Sequence, residues 1–207
     1  MINVLKNRKY ILFICLFCLM ACSGVQKKSL SNSAVYNAKG EMYLKTAKYE
    51  KAEKYFNKAI KANPYNLDAY KNRGTLYYTL GNFDKALQDF DYVLSYEKDS
   101  STLSAKGALL AAGGKYQEAY DILYEALKLN PSNVSALNSV AGLFFVQGDF
   151  EKAKDIYTIS LQYRTSPEIY LMRSNCYTQL GEQEKAAQDY AMAMLLAHGT
   201  GNTAPNN

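Results

Sequence analysis

The sequence predicts an all-α solenoid of about five stacked helical hairpins, and three observations carry that prediction. Five segments, KYEKAEKYFNKAI, NFDKALQDFDYVL, KYQEAYDILYEAL, DFEKAKDIYTISL and EQEKAAQDYAMAM, share one pattern. Their alanines, Ala52, Ala86, Ala119, Ala153 and Ala186, stand 34, 33, 34 and 33 residues apart. A second small position, Gly40, Gly74, Gly107, Ala141 and Ser174, recurs upstream with the same spacings. Between the two small positions, four copies carry a glycine, at Gly81, Gly114, Gly148 and Gly181. Self-similarity at a fixed period marks a stack of equivalent units, because one hairpin cannot bury both of its apolar faces.

Each element follows from its place in this register. Three residues after the first small position stand Tyr43, Tyr77, Leu110, Phe144 and Tyr177; four after the alanine stand Phe56, Phe90, Leu123, Tyr157 and Tyr190. Steps of three and four put these residues on one face of a helix. The interposed glycines can take positive φ and so end the first helix. Asn82 and Asp149 follow directly and can cap the second. Pro64 and Pro131, each after an Asn, close their units because proline disfavours helix continuation just before it. Where the two helices cross, the small residues are expected to let the backbones approach, with larger side chains on either side. The register divides the chain into units at 33–66, 67–99, 100–133, 134–166 and 167–200, with a disordered tail at 201–207. It also assigns most of the 19 tyrosines to hairpin packing and Cys176 to the apolar core.

This pattern of small, aromatic and proline positions in a unit of about 34 residues resembles the tetratricopeptide repeat. The resemblance implies a right-handed superhelix in which the first helix of each hairpin lines a concave groove that receives a peptide or a partner's helix. Carried over through the register, the lining is Asn37, Glu41, Lys71, Thr75, Tyr78, Ser104, Asn138, Phe145, Asn175 and Thr178, with Lys45, Ala108, Gly142 and Leu171 between them. Chaperone-binding members clamp a terminal carboxylate with basic and Asn residues in the groove. Here the positions after Lys71 are Ser104, Ala108, Asn138 and Gly142, so that clamp is absent and a backbone or an apolar side chain is the better guest.

The N-terminus gives a location. Lys6, Arg8 and Lys9 precede an apolar run from Ile11 to Ala21, which Cys22 and a polar stretch close. That is the order of a signal peptide over residues 1–21, and the run is shorter than the roughly 20 residues a membrane span needs. Leu19-Met20-Ala21-Cys22 resembles the lipobox of bacterial lipoproteins. The resemblance implies a diacylglycerol on the Cys22 sulfur, cleavage before Cys22 and acylation of the new amino group. Several acyl chains hold a protein stably where one does not. Residues 22–32 then form a flexible linker. Ser23 after the lipidated cysteine resembles the sorting context for the outer membrane, which puts the protein in the bacterial cell envelope.

Losing Lys6, Arg8 and Lys9 takes three charges from a net +5 and leaves +2, which removes most of the support for nucleic-acid binding. From Ser23 to Asn66, nine Lys oppose three Glu; from Leu67 onward, 12 basic residues oppose 16 acidic ones. Lys51, Lys54, Lys58 and Lys61 lie at helical spacing near the anchor, a solvated stripe or a face for anionic lipid. The single histidine, His198, has no nucleophile as neighbour, no Cys/His cluster has metal-ligand spacing, and no glycine-rich loop offers a phosphate cradle. The expectation is therefore no enzyme, no cofactor and no metal, but an adaptor or assembly scaffold with a protein partner. Lipoproteins with such repeats serve pilus, β-barrel or peptidoglycan machinery. A self-associating structural subunit is the alternative, suggested by the apolar stripe Met192, Leu195 and Leu196 on the last helix.

Overall fold

The computed structural model describes residues 29–199. Among them are ten helices and no strand. α1 covers 29–45, and the others are α2 (Tyr49–Ala62), α3 (Leu67–Thr79), α4 (Phe83–Tyr96), α5 (Ser100–Ala112), α6 (Tyr116–Leu129), α7 (Val134–Val146), α8 (Phe150–Tyr163), α9 (Pro167–Gln179) and α10 (Gln183–Gly199). Consecutive pairs form five hairpins. The chain divides into two compact units within α4, the first ending at Asp89 and the second beginning at Phe90. The predicted signal peptide, Cys22 and the 201–207 tail lie outside the described residues.

The five turns inside the hairpins are built alike. Gly81, Gly114, Gly148 and Gly181 adopt φ of 74°, 76°, 82° and 78°. The next residue's N–H reaches back to the carbonyl of Tyr77, Leu110, Phe144 or Tyr177 at 2.8–2.9 Å, closing the left-handed cap that satisfies the helix end. A Cβ at these glycines would meet nothing within 4 Å, so the backbone conformation and not space requires them. The first hairpin makes the same turn without glycine. Ala47 takes φ 53°, and the Lys48 N–H bonds the Tyr43 carbonyl at 2.9 Å.

At the crossings, Ala52, Ala86, Ala119 and Ala153 have no exposed surface. The expectation of simple backbone approach needs correction at Gly40. There a Cβ would lie 2.4 Å from the Phe56 ring, so the glycine makes room for the side chain four residues after the alanine. Gly107 does the same for Leu123 at 2.5 Å and lies near the Ala119 carbonyl as well. Ser174 turns the contact polar, its hydroxyl donating to the Ala186 carbonyl at 2.7 Å.

The connections between hairpins are capped by polar residues that recur with the period, 33 and 34 residues apart. The side chains of Asn66, Asp99 and Asn133 accept from the first-turn N–H groups of α3, α5 and α7. Asp149 caps α8 as expected, accepting from the Lys152 N–H. Asn66 and Asn133 also donate to the Ser33 and Ser100 hydroxyls at 2.8 Å, and those serines in turn donate to the Ala59 and Ala126 carbonyls. Each such clip joins one hairpin to the next. α1 starts ahead of Ser33, where the register begins its first unit, and the Ser29 hydroxyl donates to the Ala62 carbonyl at 2.5 Å.

The core of the first unit gathers Ala52, Phe56 and Leu76 with Tyr43, Leu44 and Tyr49 around them. In the second, Ala141, Ala153, Tyr157, Ile169 and Cys176 form a cluster flanked by Phe144, Phe145 and Ile156. Burial pushes the Cys176 thiol up to about 11. The tyrosines are less buried than the register suggests. Tyr77 and Tyr157 are buried, whereas Tyr65, Tyr96, Tyr124, Tyr163 and Tyr190 are more than half exposed. A phenol can pack its edge and keep its hydroxyl in water.

Candidate functional site

The outward surfaces of the first helices are where the register locates a partner, and each compact unit presents its own set. In the first unit, Asn37 is only 9% exposed. Its Nδ2 donates to Glu41 Oε1 at 2.9 Å, and Asn72 Nδ2 donates to both Asn37 Oδ1 and Glu41 Oε1, at 3.1 and 2.8 Å. Asn37 and Glu41 thus tie α1 to α3 through Asn72, a residue the sequence reading passed over. Lys71 lies 3.3 Å from Asp68. Thr75 is exposed, its hydroxyl returned to the Lys71 carbonyl at 2.9 Å. Tyr78 is 40% exposed and leans on Phe83 across the turn, with ring centroids 6.0 Å apart. Lys45, the remaining position, is exposed.

In the second unit, Ser104 is 1% exposed, a correction to its place in the lining; a helix position one step inside the outward face sinks the short side chain between helices. Its hydroxyl has no hydrogen-bond partner among the described residues. Asn138 is half-buried and accepts from the Ser160 hydroxyl of α8 at 2.7 Å. Phe145 packs edge-on against Phe150, centroids 5.1 Å apart, repeating the Tyr78 and Phe83 contact in a later hairpin. Asn175 and Thr178 are exposed, and the Thr178 hydroxyl donates to the Ser174 carbonyl. The accessible side chains are therefore Lys45, Thr75 and Tyr78 in the first unit and, in the second, Asn175 and Thr178 with the part-covered ring of Phe145. Such side chains offer hydroxyl, amide and aromatic contacts to a peptide, and the cations among the lining positions are Lys45 and Lys71 of the first unit.

Among the described residues, each unit holds a polar clasp of Arg and Asp at the same register positions. Arg73 donates to both carboxylate oxygens of Asp89 and, through Nη1, to Asn57 Oδ1 at 2.6 Å. Arg173 does the same with Asp189 and donates to the Thr158 hydroxyl at 3.1 Å. Each guanidinium also lies within 6 Å of two rings, Tyr70 and Tyr77 or Tyr170 and Tyr177. One Arg thus joins the second helix of one hairpin to both helices of the next. The carboxylate bonds hold both guanidinium pKa values above their ordinary value despite the desolvation that opposes this. Nearby, the Tyr77 hydroxyl donates to the Glu53 carboxylate at 2.8 Å; burial, then that bond, push its pKa up to about 12.

The lysine stripe of α2 is exposed, with Lys51 above the Tyr43 ring and Lys58 above those of Tyr36 and Tyr55. On α10, Met192 and Leu195 are 40% and 66% exposed while Leu196 is half-buried. No group of three or more His, Cys, Asp and Glu is placed to hold a metal among the described residues. None of the described helices is long and apolar enough to cross a membrane.

Comparison with known proteins agrees with this architecture. Tetratricopeptide repeat models match residues 37–102, 110–176 and 167–197. DnaJ homolog subfamily C member 3 of Gallus gallus is 29% identical over 173 residues, which are 76% of this chain and 34% of that protein. Hsp70-Hsp90 organizing protein 3 of Arabidopsis thaliana is 33% identical over 103 residues, 49% of this chain and 18% of that protein. The chain thus spans about a third or less of these relatives. Among solved structures, Pseudomonas aeruginosa PilF shares the fold with a TM-score of 0.71 at 22% identity, covering 88% of this chain and 79% of that one. The Cut9 and Hcn1 assembly gives 0.76 at 16% identity, covering 84% and 36%. A tetratricopeptide protein of Thermus thermophilus gives 0.71 at 20% identity, covering 78% and 90%.

Proposed function

Because the chain is a tetratricopeptide repeat array between residues 37 and 197, we propose that it is a protein-interaction adaptor or assembly scaffold held at the bacterial cell envelope by lipid on Cys22. The carrying observation is the repeat array together with the exposed first-helix side chains of each compact unit, Thr75 and Tyr78 in the first and Asn175 and Thr178 in the second. These suit an extended segment or helix of a partner protein whose contacts are backbone and apolar groups. The Arabidopsis relative is named for organizing two other proteins, which agrees with an adaptor. Support for the anchor is the run Leu19-Met20-Ala21-Cys22 behind a basic and apolar leader, and Ser23 favours the outer membrane.

The test is crosslinking in native membranes followed by identification of the captured protein. The adaptor reading expects one partner, retained by the unaltered chain and reduced by Tyr78→Ala or Asn175→Ala; capture indifferent to both substitutions overturns it. Lipidation is tested separately. Mass spectrometry of the N-terminal peptide should find acyl groups on Cys22, and a Cys22→Ser chain should leave the membrane fraction. An unmodified Cys22 in membrane-bound protein would overturn the anchor.

A further inference from the structure

The first and last described hairpins expose residues that the same register buries at joints between hairpins. Inside the chain, α3 packs on α2, α7 on α5 and α6, and α9 on α8. At these three joints the incoming helix buries Ala69 and Leu76, Ala136 and Leu143, or Ile169 and Cys176, none more than 4% exposed. The equivalent positions on α1 are Val35 and Met42, one period upstream, and they are 50% and 51% exposed. The receiving hairpin of each joint contributes Phe56, Leu123 or Tyr157, likewise buried. Its equivalent on α10 is Tyr190, 54% exposed.

We propose that these two faces bind each other between copies, so that the Tyr190 face of one molecule receives α1 of the next and copies join head to tail. The repeat itself identifies the occupant. The Tyr190 face has the form that accepts a first helix of this repeat, and the Val35 and Met42 face has the form that docks on a second helix of it. A second copy supplies both. The pair beside each joint varies in kind: the Tyr77 hydroxyl donates to Glu53 in one, and Phe144 packs edge-on against Tyr120 in another, centroids 6.0 Å apart. A copy-to-copy joint has Tyr43 and Ala187 at those places, a ring against a methyl group, so it needs no polar bridge there. Charge favours the same joint. Seven Lys oppose three Glu over residues 29–62, and four acidic residues oppose Arg173 and Lys185 over residues 167–199. A joint of this kind uses two different faces, so it builds an open row or, where its rotation closes, a ring. It is distinct from the Met192, Leu195 and Leu196 stripe, since Leu195 occupies the place of Lys61, Ser95, Lys128 and Gln162, exposed in every hairpin. The proposal does not depend on the adaptor reading.

The experiment mixes two full-length copies with tags of different size, one carrying Met42→Cys and the other Tyr190→Cys, under mild oxidation. Both positions are exposed, so the variants keep their core. The expected result is a disulfide-linked pair containing both tags, whose yield rises with concentration and falls about tenfold or more when the first copy also carries Val35→Glu, which would bury a charge at the joint. Cys176 is buried, and a Met42→Ser copy controls for the remaining native thiols. Overturning results are the absence of a mixed pair, a pair formed equally by two Met42→Cys copies, or a crosslink from either position to another protein or to the chain's own terminal segments in its place.

Discussion

Arg73 meets Asp89 through two parallel hydrogen bonds, Nε to Oδ2 at 2.8 Å and Nη2 to Oδ1 at 2.7 Å, and the pair is largely withdrawn from water. The geometry holds α3 against α4 while the remaining guanidinium nitrogen holds Asn57 of α2. Removing one charge strands the other in a nearly buried site. Arg73→Met is therefore expected to destabilise by about 3 kcal/mol, and Asp89→Leu by a similar amount. The double variant should recover part of the loss, giving a coupling of about 1 to 3 kcal/mol in a double-mutant cycle. Denaturant melting of the four proteins measures it. Additive losses would show that the pair does not act as a unit.

Ala47 carries the left-handed turn that glycine carries in the other four hairpins. An L side chain at positive φ costs about 1 to 2 kcal/mol, of which the added freedom of unfolded glycine returns a part. Ala47→Gly should stabilise the chain by roughly 1 kcal/mol, and Gly148→Ala should destabilise it by at least as much. Thermal melting of both variants should move in opposite directions.

Gly40→Ala places a methyl group 2.4 Å from the Phe56 ring, whose side chain has no exposed surface and little room to turn. The overpacking should cost about 1 to 3 kcal/mol. Phe56→Ala opens that space, so Gly40→Ala introduced into the Phe56→Ala background should add little further loss. A penalty that persists in both backgrounds would place its source in the backbone.

Tyr77 and Tyr157 both have their hydroxyl pKa pushed up to about 12, Tyr77 by burial and its bond to Glu53, Tyr157 by burial and the nearby Cys176. In the unfolded chain a tyrosine ionises near ~10. Above that pH the unfolded state gives up protons that the folded state retains, so stability falls as pH rises from about 10 through 12 and is unaffected by these groups below it. Replacing both with Phe should flatten stability against pH in that window. Denaturant midpoints taken across the window test this, and an unchanged slope would assign alkaline unfolding to other groups.

The hairpin repeat was legible because burial in this fold recurs with the chain's own period. Ala52, Ala86, Ala119 and Ala153 are enclosed at one recurring site, and Gly81, Gly114, Gly148 and Gly181 turn at another, so residue type alone marks the positions. The partner-facing surface was legible only in part. Helical spacing identifies the outward face, but it does not show that Asn37 and Glu41 are drawn toward Asn72 or that Ser104 sinks out of reach.

By itself, then, the sequence determined the all-α class, the number of hairpins, their turns and the small residues at their crossings, since all of these depend on local conformation and on spacings of three, four and about 34 residues. Only the tertiary structure decided which polar residues meet. Arg73 with Asp89, Asn66 with Ser33 and Tyr77 with Glu53 are partners because packed helices bring distant side chains within hydrogen-bond reach; the period repeats the first two, as Arg173 with Asp189 and Asn133 with Ser100, but spacing alone does not say that the side chains touch. It also decided that Met42 is exposed while Leu76 at the same register position is covered, because exposure depends on whether a neighbouring hairpin is present.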